Sequence, residues 1–120
     1  MARIFIVDDS VADLNLMTSI LQSAQHRVSA LNDASLAADQ VAAEQPDLIL
    51  LDVVMPGKNG YEVLRQLKRN PSTQAIPVVL VSSKGADTDV RWGLRQGASA
   101  YVTKPYTAEH VLAAVTQVIG

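Results

Sequence analysis

The chain has no cysteine among its 120 residues, which excludes a disulfide scaffold, thiolate zinc sites and cysteine nucleophiles. Its longest apolar runs, 48–51 and 78–81, are far shorter than the roughly 20 residues of a membrane-spanning helix. Twelve acidic and ten basic residues leave a net charge of −2, so no broad basic surface for nucleic acid or anionic lipid is expected. The first residues lack the long apolar stretch of a signal peptide. These absences predict a cytoplasmic protein that binds neither nucleic acid nor membrane directly.

The composition that remains is typical of one packed domain. Hydrophobic residues make up 48% and charged residues 18% of the chain, a balance that disfavours disorder. A length of 120 residues predicts one domain over residues 1–120, without a second, separate output domain.

Short apolar runs alternate with longer segments of helical periodicity. Several runs are continuous Ile, Val and Leu without polar alternation, as in parallel strands covered on both faces. The predicted strands are 3–7, 27–31, 48–52, 77–82 and 100–103, and the predicted helices are 11–24, 35–44, 60–69, 88–96 and 107–118. Five βα units imply a small, doubly wound α/β fold with helices on both faces of a parallel sheet. Ligands bind at the carboxyl ends of such strands.

Polar residues stand at those carboxyl ends. The first strand ends in Asp8 and Asp9, the third in Asp52, the fourth in Ser82, and the fifth in Lys104. Three converging carboxylates repel one another, and Mg²⁺ would offset that repulsion because it takes oxygen ligands. Mg²⁺, an ammonium and a hydroxyl around one carboxylate are suited to forming an aspartyl phosphate. Each residue alone also fits a plainer role at a strand end or helix cap, so it is the set that indicates a site.

The segment 55–60, Met-Pro-Gly-Lys-Asn-Gly, directly follows the third strand. Its proline and glycines predict a tight loop with positive φ angles next to Asp52. Such a loop holds backbone groups near the carboxylate and exposes it to a partner.

These residues give the chain its resemblance to the receiver domains of bacterial two-component response regulators, in particular single-domain chemotaxis-type regulators. The resemblance runs from residue 4 to about 106. The matching features are Asp8-Asp9, Leu51-Asp52, Met55-Pro56-Gly57 to Gly60, Pro77 to Ser82, Gly97-Ala98 and Lys104-Pro105. The segment 92–98 is also similar to regulators of chemotaxis-like systems that control type IV pili. The resemblance implies a flavodoxin-like sheet of five parallel strands in the order 2-1-3-4-5.

The resemblance also implies a phosphoryl-accepting site. Asp52 would take the phosphoryl group from a phosphohistidine of a sensor histidine kinase. Asp9 and Asp52 would bind Mg²⁺ directly, together with the backbone carbonyl of Val54, and Asp8 would act through water. The protein would be an enzyme only in catalysing its own phosphorylation and dephosphorylation.

The remaining roles implied by the resemblance concern the response to phosphorylation. Ser82 and Lys104 would contact the phosphoryl group, and the bond from Lys104 to Pro105 would be cis. Tyr101 would be a switch aromatic that turns inward when Ser82 moves. Phosphorylation adds charge that these groups can pair with in only one arrangement, which favours a two-state switch.

The implied partner face comprises the fourth helix, the fifth strand and the fifth helix, with Trp92, Tyr101 and Tyr106 on it. Its partner would be a downstream target protein, such as motor or pilus machinery, and the chain would be a monomer or a phosphorylation-dependent dimer. Counting 100° per residue puts Gly93 and Leu94 on one side of the fourth helix, its predicted core side, and Trp92 nearly opposite. Trp92 is then either an anchor for a partner or a residue packed across a neighbouring helix.

Other functions remain open at this stage. The chain would also fit a receiver fragment of a longer transcriptional regulator, or an interaction module that works without phosphorylation. A haloacid-dehalogenase-like phosphatase would need a second aspartate two residues after the first, where this chain has Val54. A flavodoxin-like cofactor binder would need a phosphate loop after the first strand, where Asp8 and Asp9 would repel the phosphate.

Overall fold

Five short apolar segments form a parallel β-sheet in this computed structural model, which describes residues 1–119. The strands are β1 (Arg3–Val7), β2 (Arg27–Leu31), β3 (Leu48–Asp52), β4 (Val78–Ser82) and β5 (Ala100–Thr103). The helices are α1 (Val11–Ser23), α2 (Ala37–Glu44), α3 (Gly60–Arg69), α4 (Asp87–Arg95) and α5 (Ala108–Ile119). The strand order is β2-β1-β3-β4-β5, with every pairing parallel. The predicted doubly wound fold and its strand order are confirmed.

The helices cover the two faces of the sheet and enclose two hydrophobic layers. One layer joins the sheet to α1 and α5, with Leu14, Leu21 and Val111 among its buried members. The other joins the sheet to α2 and α3, through residues such as Val41 and Leu64. All five residues of β3 and all five of β4 are buried, which explains why these strands carry no polar alternation. Two-sided burial fixes the central strands as a rigid base for the residues that follow them.

The register of the strands brings their carboxyl ends to one edge of the sheet. Val7 at the end of β1 is paired with Leu51 of β3, so Asp8 and Asp52 follow at neighbouring positions. Ser82 at the end of β4 is paired with Thr103 of β5, immediately before Lys104. The polar residues predicted to converge therefore leave the sheet side by side.

Helix starts follow the local capping chemistry. The side chains of Ser10 and Asn59 accept hydrogen bonds from backbone N–H groups at the starts of α1 and α3, and Thr107 does so before α5. The predicted helix at 35–44 begins later, at Ala37. Residues 34–36 form a 3₁₀ turn instead, because the Asp33 carboxylate accepts from the N–H of Ser35 and caps that turn.

The prediction for the core side of α4 is wrong in one respect. Gly93 is the buried residue of this helix, whereas Leu94 is 44% exposed. A Cβ atom at Gly93 would lie 2.9 Å from the Tyr101 ring and 3.0 Å from Leu80, so Gly93 itself faces the sheet. Leu94, the next residue, is turned about 100° around the helix from that position. None of the helices within residues 1–119 combines the length and the apolar character needed to cross a membrane.

Candidate functional site

The site is built around Asp52, the last residue of β3. Its residue surface is only 5% exposed, and Asp8, which follows β1, is 9% exposed. Asp9 is exposed on the outer side of the same edge. Carboxylate oxygens of the three residues lie within 4.8 Å of one another. The structure therefore brings together the three carboxylates that the sequence predicted to converge.

The loop after β3 closes tightly over the backbone of Asp52. Gly57 has a φ of +79°, as the predicted turn requires. A Cβ atom at Gly60 would lie 2.3 Å from the backbone carbonyl oxygen of Asp52, a distance that no side chain tolerates. The N–H of Gly60 donates to the carbonyl of Val53 at 2.8 Å. Glycine at this position thus allows the start of α3 to lie directly against the end of β3.

Lys104 supplies positive charge at this edge. Its ammonium donates to Oδ2 of Asp8 at 3.1 Å and to Oδ2 of Asp13 at 2.9 Å. The distance from the ammonium to Oδ1 of Asp52 is 3.5 Å. Its backbone N–H donates to the carbonyl of Ser82, which ties it to the end of β4, and its bond to Pro105 is cis, as the resemblance implied.

The charges at this edge perturb the ionisation of both central groups. Burial raises the pKa of Asp52 to about 6, and the negative charge of Asp8 adds to the rise, while Lys104 opposes it. Burial lowers the pKa of Lys104, but its hydrogen bonds to Asp13 and Asp8 raise this pKa by more than burial lowers it. The net pKa of Lys104 is therefore higher than usual. Lys104 is therefore a permanent cation, and Asp52 is a carboxylate whose charge the folded protein tolerates poorly.

The donor set fits a hard divalent cation. The carboxylates of Asp8, Asp13 and Asp52 lie within 3.5 Å of the Lys104 ammonium, and Asp9 lies beside Asp8 and Asp52, which leaves a surplus of negative charge. Oxygen donors within 4.8 Å of one another can share one Mg²⁺ ion, and binding would relieve the repulsion among them. The residues present are therefore compatible with the predicted Mg²⁺, and Val54 lies two residues beyond Asp52 with 54% of its surface exposed.

Ser82 connects this edge to Tyr101 through the backbone of one loop residue. Ser82 is fully buried, and its hydroxyl accepts from the N–H of Lys84 at 3.1 Å. The carbonyl of Lys84 accepts from the Tyr101 hydroxyl at 2.6 Å. The Tyr101 ring is half-buried and packs on Gly93 and Leu80. The ring is thus partly buried, and its hydroxyl is held by the loop that follows β4.

The three residues predicted for the partner face line two different cavities. Trp92 is 52% exposed and lines a groove of about 380 Å³ with Tyr101 and Tyr61. Tyr106 lies elsewhere, in a cavity shared with Asp13 and Lys104, and packs against the layer that contains α1 and α5. Alternate residues of a strand point to opposite faces, but Tyr106 follows the end of β5, so its direction could not be read from strand alternation.

Sequence reasoning missed Asp13 as part of the site. Asp13 lies in the first turn of α1, where an acidic residue is usually explained by the helix dipole. Its position four residues after Asp9 was the available signal, since α1 begins at the same edge of the sheet. The bond from Tyr101 to the Lys84 carbonyl was also missed, because backbone acceptors leave no mark in a sequence.

Comparison with known proteins supports the resemblance. The response regulator receiver domain family matches residues 4–116. The chain is 41% identical to protein PilH of Pseudomonas aeruginosa over 120 residues, which cover 100% of this chain and 99% of PilH. It is 43% identical to response regulator PleD of Caulobacter vibrioides over 104 residues. This match covers 87% of this chain and 23% of PleD. The chain thus spans nearly all of one relative and a minor part of another.

Solved structures show the same architecture. The chemotaxis protein CheY4 of Vibrio cholerae superposes with a TM-score of 0.91 over 98% of both chains at 24% identity, which establishes the fold. A response regulator from Desulfuromonas acetoxidans gives a TM-score of 0.88 at 26% identity, over 98% of this chain and 96% of that one. With the family matched across nearly the whole chain, the sequence-based prediction is confirmed: the chain belongs to the response regulator receiver domain family.

Proposed function

We propose that this chain is a phosphoryl-accepting signalling switch in which Asp52 receives a phosphoryl group from a histidine kinase. The observation that carries the proposal is the environment of Asp52. Its carboxylate is buried at the end of a central strand, lies within 4.8 Å of two other carboxylates, and is 3.5 Å from the Lys104 ammonium. A purely structural aspartate would not be expected to occupy a site with so much like charge.

The transfer forms one bond and breaks one. An oxygen of the Asp52 carboxylate attacks phosphorus, and the P–N bond of the phosphohistidine breaks with its electron pair leaving on the imidazole. Lys104 stabilises the charge on the phosphoryl oxygens, and the Ser82 hydroxyl donates a hydrogen bond to another of them. Asp9, Asp52 and the backbone carbonyl of Val54 would hold Mg²⁺ directly, and Asp8 would act through water. When bound, the ion would supply positive charge to the carboxylate and phosphoryl oxygens.

The signal leaves the site through Ser82. When its hydroxyl turns to a phosphoryl oxygen, it gives up the hydrogen bond from the N–H of Lys84. The backbone of Lys84 also holds the Tyr101 hydroxyl, so a shift of this loop changes the energy of this position of the Tyr101 ring. Trp92 lies beside Tyr101 on the same groove and is a candidate anchor for a downstream protein.

The same proposal covers organisation and partners. Residues 4–116 act as a receiver domain, and the effect of this domain is exerted through protein contacts, as a monomer or a phosphorylation-dependent dimer. The full-length match to PilH and the similarity of segment 92–98 to regulators of type IV pili favour a sensor histidine kinase and a target in pilus or motor machinery. Catalysis is limited to its own phosphorylation and dephosphorylation.

The proposal is tested by incubating the protein with acetyl phosphate and measuring its intact mass. Wild type in Mg²⁺ is expected to gain one phosphoryl group, and EDTA is expected to suppress the gain. Asp52→Asn removes the nucleophilic oxygen with little change in size and should stay unmodified. Asp39→Asn is the matched control, because Asp39 is an exposed carboxylate in the first turn of α2 and should behave as wild type.

Two outcomes would contradict the proposal. Modification of Asp52→Asn to the same extent as wild type would mean that another residue accepts the group. A lack of modification by acetyl phosphate and by a phosphorylated cognate kinase would favour an interaction module that works without phosphorylation. A phosphatase acting on external substrates is disfavoured, because the residue two places after Asp52 is the apolar Val54 and offers no acid or base.

A further inference from the structure

We infer that Asp13 is a positioning residue that competes with the phosphoryl group for Lys104 and so weakens the phosphorylated state. The inference rests on the proposed phosphoryl acceptance by Asp52. It starts from the shortest contact of the Lys104 ammonium, which is the one to Asp13 at 2.9 Å. The corresponding distance to Asp52 is 3.5 Å, too long for a good hydrogen bond to the nucleophile.

The two hydrogen bonds of Lys104 hold its ammonium on the α1 side of the site. An ammonium has three N–H donors, and here Asp8 and Asp13 accept two of them. A phosphoryl group on Asp52 would bring new acceptor oxygens to the opposite side of the ammonium. Lys104 must then either leave Asp13 or share its charge between Asp13 and the phosphoryl group.

Asp13 is well placed for this competition because its backbone is fixed and its side chain is not buried. The Ser10 hydroxyl caps its N–H at 3.2 Å and anchors the first turn of α1. The Asp13 side chain is 38% exposed, compared with 12% for that of Asp8. Water can therefore solvate Asp13 when Lys104 moves away, whereas Asp8 would lose its partner in a drier environment.

A plainer role for Asp13 would be stabilisation of α1 through the helix dipole. That role predicts a small loss of stability in Asp13→Asn and no change at the phosphoryl site. Competition predicts that Asp13→Asn strengthens binding at the phosphoryl site. The neutral amide keeps the size of the side chain but binds the Lys104 ammonium more weakly. Asp39 again provides the matched control, since it occupies the first turn of another helix.

The experiment measures affinity for beryllium fluoride, a phosphoryl-like anion, in Mg²⁺ by titration calorimetry. Asp13→Asn is expected to bind it roughly two- to fivefold more tightly than wild type, in the range of a partly exposed ion pair. Asp13→Glu restores the negative charge and should return the affinity towards that of wild type. Asp39→Asn should be unchanged.

A double-mutant cycle shows whether the effect acts through Lys104. In the background of Lys104→Gln, the gain from Asp13→Asn should disappear. Equal or weaker binding by Asp13→Asn, or an equal gain with Lys104→Gln, would overturn the inference. Failure of wild type both to bind beryllium fluoride and to accept a phosphoryl group would instead overturn the proposed function.

Discussion

The burial of Asp52 leads to a quantitative prediction for stability. Burial, helped by the charge of Asp8, raises the pKa of Asp52 from 3.8 to about 6. One pKa unit corresponds to about 1.4 kcal/mol, so the ionised carboxylate destabilises the folded, metal-free protein by roughly 3 kcal/mol. Asp52→Asn keeps the size of the side chain and removes the charge. At about pH 7.5 in EDTA, this variant is expected to unfold with a free energy up to about 3 kcal/mol higher than wild type.

The pH dependence fixes the sign of this effect. The folded-state pKa of Asp52 lies above the unfolded value, so the protonated side chain favours the folded state. That contribution to stability is fully present below pH 3.8 and is lost as the pH rises through about 6. The advantage of Asp52→Asn should therefore be small near pH 4, grow towards pH 6, and then level off.

The assay is urea unfolding of wild type, Asp52→Asn and the control Asp39→Asn, in EDTA at about pH 4.5 and about pH 7.5. Mg²⁺ should then stabilise wild type by mass action and reduce the difference in unfolding free energy between it and Asp52→Asn, because Asp52 is one of the oxygen donors proposed for the ion. The reasoning is refuted if Asp52→Asn is less stable than wild type in EDTA at about pH 7.5. It is refuted equally if the difference is the same at both pH values.

Two further substitutions test the surroundings of the site. Gly93→Ala would place a Cβ atom 2.9 Å from Cδ2 of the Tyr101 ring, so the ring should shift and stability should fall by about 1–3 kcal/mol; unchanged Tyr101 ring resonances in NMR spectra would contradict this. Asn59→Ala removes the acceptor for the N–H of Glu62 at the start of α3 and should lower the unfolding free energy by about 1 kcal/mol in a thermal or urea titration. An unchanged midpoint would mean that the Asn59 side chain contributes nothing as a cap.

The sheet and most of the polar residues at its carboxyl edge could be predicted from the sequence, because buried strands have a distinctive apolar pattern. A strand covered on both faces, such as β3, must be apolar throughout, so Asp52 marks its end. The carboxyl ends of parallel strands lie at one edge of the sheet. This brings both Asp8 and Lys104 to Asp52, although Asp8 and Lys104 are 96 residues apart in the chain. Topology therefore turns several isolated polar residues into one site.

Features that depend on close packing or on side-chain rotamers were not predictable in the same way. The exposure of Leu94 follows from the orientation of α4, in which Gly93 faces the sheet. Tyr106 follows the end of β5, where the two-residue alternation no longer applies, and it lines a different cavity from Trp92. The ion pair of Lys104 with Asp13 depends on a long side chain choosing among several acceptors.

The proposed function couples stability and signalling at this edge, because the same charges would serve both. Asp52 is destabilising when ionised and buried, and the negative charges of Asp8 and Asp9 increase that electrostatic cost. The free protein already contains this repulsion among the carboxylates. A cation or a phosphoryl group that rearranges the charges would relieve part of it, and this relief would favour binding. Lys104 offsets part of this repulsion by pairing with Asp8 and Asp13, and this pairing engages the ammonium that the phosphoryl oxygens of the proposed product would need. A stronger ion pair between Lys104 and Asp13 should therefore raise the stability of the unphosphorylated protein and lower that of the proposed phosphorylated state.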